Sequence, residues 1–77
     1  MVNIPTVNLI ATGKNIDKLR REAGYTVKEL QGVFGFGTPQ AIYKWQHGTA
    51  LPTVDNLVLL SVIFKVSIDD ILVVEKE

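Results

Sequence analysis

The sequence predicts a small all-α domain of five helices, for three reasons. Apolar residues recur three and four positions apart along most of the chain, which is the spacing of an amphipathic helix. Helix caps such as Thr26 and Thr53, and helix-ending glycines such as Gly24 and Gly48, divide the chain into short segments. The chain has 77 residues, 47% of them hydrophobic, and no cysteine, so the stability of its one small core has to come from helix packing or from a partner chain.

Composition excludes several classes of protein. The high hydrophobic fraction argues against disorder. The N-terminus lacks the basic and apolar regions of a signal peptide, and no apolar run approaches the roughly eighteen residues that a membrane helix needs. We therefore expect a soluble, cytoplasmic protein with no membrane partner. His47 is the only histidine, which excludes a metal site built on imidazole ligands, and nothing in the sequence implies a cofactor.

Catalytic activity is not expected. A nucleophile needs a base beside it, whereas Ser61 and Ser67 are predicted to face the core and to cap a helix. Asp69 and Asp70 fall in a first helical turn, where negative charge is favoured for structural reasons. We therefore predict that the protein is not an enzyme.

Residues 1–11 are predicted to form an N-terminal arm. Apolar residues partly alternate around Pro5, which fits either an extended arm that packs on the domain or a neighbour, or a frayed end. Helix 1 is predicted from Thr12 to Ala23, with Gly24 at its end. Its basic residues are predicted to project outward, as a solvated face from which one or two reach phosphate: Lys14, Lys18, Arg20 and Arg21.

Helix 2 opens with Thr26-Val27-Lys28-Glu29, in which the threonine and the glutamate are predicted to form a capping box. Its buried stripe is predicted to consist of Val27, Leu30, Val33 and Phe34. The turn Gly35-Phe36-Gly37 follows, and we expect Phe36 to anchor it in the core.

Helix 3 is predicted to begin at the cap Thr38, with Pro39 in its first turn, and to end at Gly48 in a left-handed stop. Ile42 and Trp45 lie three residues apart and form its core stripe. The opposite face carries hydrogen-bonding groups, namely Gln40, Tyr43, Lys44 and His47. Glutamine and lysine can pair with base edges in the major groove of DNA, which admits one helix.

Helix 4 is predicted from Val54 to Phe64, and Ser67 is predicted to cap helix 5. Helix 4 is apolar almost all round, whereas a surface helix of a small monomer keeps a polar face. The surplus apolar residues predict a homodimer interface made of Val58, Leu59, Val62 and Ile63. Residues 12–73 then form the domain, and residues 74–77 a short tail.

Charge is distributed unevenly, although the net charge of zero at first argues against nucleic acid. Residues 1–50 hold six basic and three acidic side chains, a balance of +3, whereas residues 51–77 hold two basic and five acidic side chains, a balance of −3. The positive half contains helix 3. This asymmetry is a weak electrostatic argument for nucleic-acid binding.

Several of these segments resemble the helix-turn-helix domains of the phage repressor and Cro type, the XRE family. The resemblance spans roughly residues 12–73, with residues 26–30 similar to the second helix, 39–45 to the recognition helix, and 48–52, 55–57 and 66–72 to the segments that follow. It implies a five-helix, lambda-repressor-like fold in which helices 2 and 3 form the helix-turn-helix. Two features depart from it: the turn at residues 35–37 is one residue longer than in many relatives, and Lys65 stands where relatives often have glycine.

The resemblance implies sequence-specific binding of double-stranded DNA by a transcriptional regulator, most simply a bacterial repressor, with no small-molecule effector evident. It assigns base contacts to Gln40 and Lys44, with Tyr43 and Pro39 packing beside them. It assigns phosphate contacts to Lys28, Thr38, Thr49 and His47, although His47 fits a solvated helix end equally well.

The alternative is a protein-interaction module of the same fold, such as a toxin–antitoxin or restriction-control subunit whose partner does the chemistry. Zero net charge favours it slightly, as does Ala50, which offers no polar group in the loop after helix 3. The salt dependence of binding to random duplex DNA separates the two hypotheses.

Overall fold

A computed structural model describes residues 4–75, and most of these lie in five helices. Helix α1 spans Leu9–Glu22, α2 Val27–Phe34, α3 Gln40–His47, α4 Val54–Phe64 and α5 Ile68–Ile71. Two short strands, β1 at Thr6–Val7 and β2 at Val74–Glu75, pair in antiparallel register. The predicted all-α, five-helix architecture is confirmed, and the small ribbon adds a feature that the sequence pattern did not predict.

Helix α1 begins at Leu9, about one turn before the predicted start at Thr12. The side chain of Asn8 accepts a hydrogen bond from the amide of Ala11 at 2.9 Å, and asparagine is among the strongest N-caps. Residues 9–11 are therefore helical, so the described part of the predicted arm is shorter than expected; residues 1–3 lie outside the described chain. Thr12 is fully buried, and its hydroxyl oxygen accepts from the amide of Val73 at 2.9 Å.

The C-terminal segment lies along α1 and is held there by polar contacts. The amide of Asn8 donates to the carbonyl of Val73 at 2.8 Å. The side chain of Asn15 donates to the carbonyl oxygens of Asp70 and Ile71 at 2.7 and 2.9 Å. Because these carbonyls lie where α5 ends, they lack partners within that helix. The hydrogen bonds with α1 therefore fix α5 and the segment after it.

Three helix starts follow the capping chemistry that the sequence predicts. At α4, the side chain of Thr53 accepts a hydrogen bond from the amide of Asn56. Thr26 and Glu29 form a capping box at α2, and Ser67 and Asp70 form a second one at α5. The predicted buried stripe of α2 is partly wrong, because Val33 is 48% exposed. The other predicted members agree with the structure: Leu30 is fully buried, and Val27 and Phe34 are partly buried against the core.

The core lies between all five helices. Its buried residues are Ile16, Leu30, Ile42, Trp45, Leu57, Leu60, Phe64 and Ile71. Phe36 packs against this core from the turn between α2 and α3, as predicted, with its ring stacked on Phe34 at 5.1 Å and edge-on to Trp45 at 5.9 Å. The longer turn is thus anchored by aromatic contacts.

Helix α4 has the predicted bounds and leaves a narrow apolar surface. Val54, Val58 and Val62 lie four residues apart and are 73%, 49% and 67% exposed. Leu59 and Ile63 are half-buried, and Ile63 packs against the core. The helix ends at Lys65, whose φ of +58° places a non-glycine residue in the left-handed region. No helix of the described chain has the length and apolar character needed to cross a membrane.

Candidate nucleic-acid interface

Helix α3 is seated against α1 by close backbone contact. A Cβ atom on Gly13 would lie 2.7 Å from the carbonyl oxygen of Gln46 and would also overlap that of Trp45. At the end of α3, Gly48 has a φ of +74°, and a Cβ there would lie 2.7 Å from the Cα of Ile10. Both glycines therefore permit an approach that any side chain would prevent.

Arg20 holds the same two helices together, which corrects the prediction that it projects outward. It is only 8% exposed. Its guanidinium donates to the side-chain oxygen of Gln46 at 3.0 Å, to the carbonyl of Tyr25 at 2.6 Å and to the carboxylate of Asp17 at 2.6 Å. A buried guanidinium is tolerated only with such partners. Arg20 thus ties α1 to the turn before α2 and to α3.

Asp17 lies between two guanidinium groups. Its carboxylate accepts from Arg20 at 2.6 Å and from Nε of Arg21 at 3.3 Å. Burial raises the pKa of Asp17, but hydrogen bonds and charges from both arginines outweigh this effect and hold the pKa below its ordinary value. One carboxylate therefore serves two cations, and a net positive charge remains beside α3.

Helix α3 has one buried and one exposed face, as predicted. Ile42 is fully buried and Trp45 is 4% exposed, which confirms both as core residues. The predicted base-contacting residues Gln40 and Lys44 are exposed and lie one turn apart. The other two residues predicted to lie beside the bases flank Gln40 and Lys44. Tyr43 is 43% exposed, and Pro39, before the helix, is half-buried.

The start of α3 differs from the prediction. The helix begins at Gln40, with Pro39 in the cap position and no side-chain cap. The hydroxyl oxygen of Thr38 lies 3.5 Å from the amide of Gln40, which is long for a hydrogen bond. Pro39 has a ψ of 4°, so it turns the chain before the helix instead of forming its first residue. Thr38 is exposed and does not occupy the cap position of α3.

The other predicted phosphate contacts are spread around α3. Lys28 is exposed in the first turn of α2 and makes no ion pair within residues 4–75. His47 is exposed at the end of α3, where its ring stacks on Tyr43 with 6.1 Å between the centroids. Thr49 differs, because its hydroxyl and its amide both donate to the carbonyl of Lys44, at 3.2 and 3.0 Å. Thr49 thus has no free donor and serves to end α3.

A polar groove of about 440 Å³ separates α1 from the exposed face of α3. Its lining consists of Lys14, Asp17, Arg20 and Arg21 from α1, Val27 from α2, and Tyr43, Gln46 and His47 from α3. The structure thus brings two predicted contact residues, Tyr43 and His47, next to basic side chains of α1. The sequence of α1 alone could not predict this groove, because the groove forms only where α1 packs against α3.

Metal-ligating side chains are not clustered in the part of the chain that the structure describes. Within residues 4–75, no group of three or more His, Cys, Asp or Glu side chains is placed to hold a metal ion. The buried polar side chains of these residues all have hydrogen-bond partners.

Comparison with known proteins assigns the chain to a family. No curated protein matches the sequence significantly. A family model described as helix-turn-helix matches residues 16–71, a range that includes α2, the turn after it and α3. Since this match covers more than half of the sequence and agrees with the five-helix fold, the chain belongs to the XRE family of DNA-binding helix-turn-helix domains, the Cro and phage-repressor type.

Proposed function

We propose that this protein is a transcriptional regulator, most simply a repressor, that binds specific sites in double-stranded DNA with α3 in the major groove. The observation that supports this most directly is the division of α3 into two faces. Ile42 and Trp45 hold the helix in the core, while Gln40 and Lys44 stand exposed one turn apart. Membership of a DNA-binding family supports DNA as the partner of that exposed face.

Gln40 and Lys44 carry the sequence information in this proposal. Gln40 lies in the first turn of α3, the part of a recognition helix whose residues contact base edges. Its amide can pair with the N6 and N7 positions of adenine, and the ammonium group of Lys44 can reach the O6 and N7 acceptors of guanine or a phosphate. Tyr43 and Pro39 pack beside these contacts.

Phosphate contacts position the domain on the duplex. Lys28 supplies charge in the first turn of α2, where helix geometry leaves backbone amides without partners. Thr38 and His47 flank α3 at its two ends and remain exposed. Thr49 can contact a phosphate only if its hydrogen bonds to the Lys44 carbonyl break, so we expect it to contribute least to phosphate binding.

A titration with random duplex DNA at low and moderate salt tests this function. Each phosphate that the protein neutralises releases counterions, so affinity should fall steeply as salt rises. A protein-interaction module of the same fold, the alternative that zero net charge favours, should show almost no affinity at either salt concentration. Absence of salt-dependent binding would therefore replace the proposal with that alternative.

We further propose a homodimer. The exposed valines of α4, Val54, Val58 and Val62, form an apolar ridge that would pack against the same ridge of a second copy of the chain. Val58 and Val62 belong to the interface predicted from the sequence, and Val54 extends it. Leu59 and Ile63 contribute less, because both are already partly buried within the domain, and Ile63 packs against its core. Burying an aliphatic side chain contributes about 1.5 to 3 kcal/mol, so the ridge favours association.

Sedimentation of two variants tests the homodimer. Val62→Asp places a charge in the ridge and should shift the protein toward monomer, whereas Val33→Asp changes an equally apolar exposed position on α2 and should leave the assembly unchanged. A two-fold dimer would also place two α3 helices about 34 Å apart on half-sites one DNA turn from each other. A wild-type protein that stays monomeric on DNA and protects a single half-site contradicts this proposal.

A further inference from the structure

The cations that line the groove between α1 and α3 differ in how far they are already neutralised. Arg20 donates hydrogen bonds to Asp17, to Gln46 and to the carbonyl of Tyr25, and its side chain is nearly buried. Lys14 also lines the groove, but it is exposed and makes no ion pair within residues 4–75. It is therefore the cation most available to an external anion.

Arg21 adds to the positive charge at the same place. Only its Nε contacts Asp17, at 3.3 Å, and its side chain is 71% exposed. The terminal nitrogens of such a guanidinium remain free, and they match the oxygens of a phosphate. Lys14, Arg20 and Arg21 share the α1 wall of the groove with the single carboxylate of Asp17, so the lining carries a positive charge even with His47 neutral.

We infer that this groove holds a phosphate of the DNA backbone and that Lys14 of α1, which lies outside the helix-turn-helix, binds it. The inference rests on the proposed DNA-binding function. The opposite wall of the groove is formed by Tyr43 and His47, which also belong to the exposed face of α3. In the proposed complex, the DNA strand beside α3 runs along Tyr43 and His47, and its phosphates come within reach of Lys14.

A backbone phosphate fits this site better than a small organic acid does. The groove is open and polar, and its lining supplies charge and hydrogen-bond donors from two helices without enclosing a ligand. Val27 adds the start of α2, where helix geometry leaves amides unpaired and the helix dipole favours an anion. The protein holds a DNA backbone at many points, so the site for one of its phosphates does not need to enclose it.

Lys18 offers a matched control. It lies on α1 four residues after Lys14 and is also exposed, but it does not line the groove. Replacing either lysine with alanine removes one positive charge, so long-range attraction to DNA falls by a similar amount in both variants. Only a direct phosphate contact distinguishes the two.

The experiment measures binding of random duplex DNA to the wild type, Lys14→Ala and Lys18→Ala over a series of salt concentrations. For Lys14→Ala, the slope of log K against log salt should become shallower by about 0.9, the value for one lost phosphate contact. Lys18→Ala should keep the wild-type slope. Circular dichroism of all three proteins shows whether the fold is retained, which the exposure of both lysines leads us to expect.

Three results overturn the inference in distinguishable ways. If the wild type binds with a steep salt dependence and Lys14→Ala keeps the full slope, the phosphate contact is wrong while the proposed function stands. If the wild type shows no salt-dependent binding, the proposed function fails and the inference falls with it. Equal changes of slope in both lysine variants also overturn it, because they would show a general charge effect.

Discussion

Arg20 on α1 donates a hydrogen bond from its Nε to the side-chain oxygen of Gln46 on α3, at a distance of 3.0 Å. Since Gln46 lies on the recognition helix of the proposed DNA complex, a nearly buried arginine outside the helix-turn-helix orients that helix. The same guanidinium reaches the turn before α2 through the carbonyl of Tyr25. One side chain therefore links α1 to α3 and to the turn before α2.

Arg20→Ala should lower the free energy of unfolding by about 3 kcal/mol, because it leaves a carboxylate, a carbonyl and an amide oxygen without their donor. Arg21→Ala removes the other cation beside Asp17, but its side chain is 71% exposed, and we expect a loss below about 0.5 kcal/mol. Urea denaturation of the two variants measures the difference. Equal losses would show that Arg20 acts only as a surface charge.

Gly13→Ala should destabilise the protein by about 1 to 3 kcal/mol, because the added methyl group would overlap carbonyl oxygens of α3. Gly32→Ala provides the control: Gly32 lies inside α2, and a Cβ there meets no atom within 4 Å. That change should stabilise by about 0.5 to 1 kcal/mol, since alanine favours the helix. Thermal unfolding midpoints that move in opposite directions are the expected result. A harmless Gly13→Ala would contradict the close packing of α1 on α3.

Lys65→Gly should stabilise the protein by about 1 kcal/mol, because Lys65 has a left-handed φ of +58° that glycine adopts without a steric penalty. The same replacement at Lys18, which is exposed inside α1, should cost about 1 kcal/mol by the helix propensity of glycine. Chemical denaturation of both variants compares the two positions. If Lys65→Gly destabilises, then contacts of the lysine side chain outweigh the backbone strain.

Stability should fall in mild acid through two carboxylates. Hydrogen bonds from Thr26 hold the pKa of Glu29 below its ordinary value of 4.5, and the pKa of Asp17 lies below 3.8 because Arg20 and Arg21 outweigh the effect of burial. A folded-state pKa below the unfolded one stabilises the protein at higher pH. This stabilisation is lost as pH falls below the ordinary values of 4.5 and 3.8 and through the lower folded-state pKa of each carboxylate.

Thermal unfolding between neutral pH and about pH 3 measures this loss. Asp17→Asn and Glu29→Gln should each flatten the dependence of the unfolding midpoint on pH, and Glu29→Gln should keep α2 capped, since glutamine also forms a capping box. A variant whose midpoint falls in parallel with that of the wild type would show that its carboxylate does not contribute.

Much of the fold could be predicted from local chemistry. The bounds of α4, the capping boxes at Thr26 and Ser67, and the core positions Ile42 and Trp45 depend on spacing and cap residues that are visible in the sequence. The start of α1 could not be predicted in the same way. Its apolar residues before Thr12 fit a strand as well as a helix, and Gly13 weakens the helical pattern until its packing against α3 is known.

The candidate site could be predicted only in part. The exposed face of α3 follows from helical period, so the sequence predicted that Gln40, Tyr43, Lys44 and His47 are exposed there, and their role in DNA binding stays a prediction. The role of Arg20 was missed, because an arginine among other charges on α1 resembles a solvated residue until the chain folds. Its partners come from three segments that are distant in sequence, and only the tertiary structure brings them together.

The ratio of specific to random DNA binding tests the central proposal most directly, once selection from random duplexes has supplied the preferred site. Gln40→Ala should weaken binding to that site by about 1 to 3 kcal/mol and leave binding to random DNA nearly unchanged. Lys28→Ala, the matched control, should weaken both by the same amount, since a phosphate contact carries no sequence information. A Gln40→Ala variant that keeps the full ratio would contradict base recognition by the exposed face of α3.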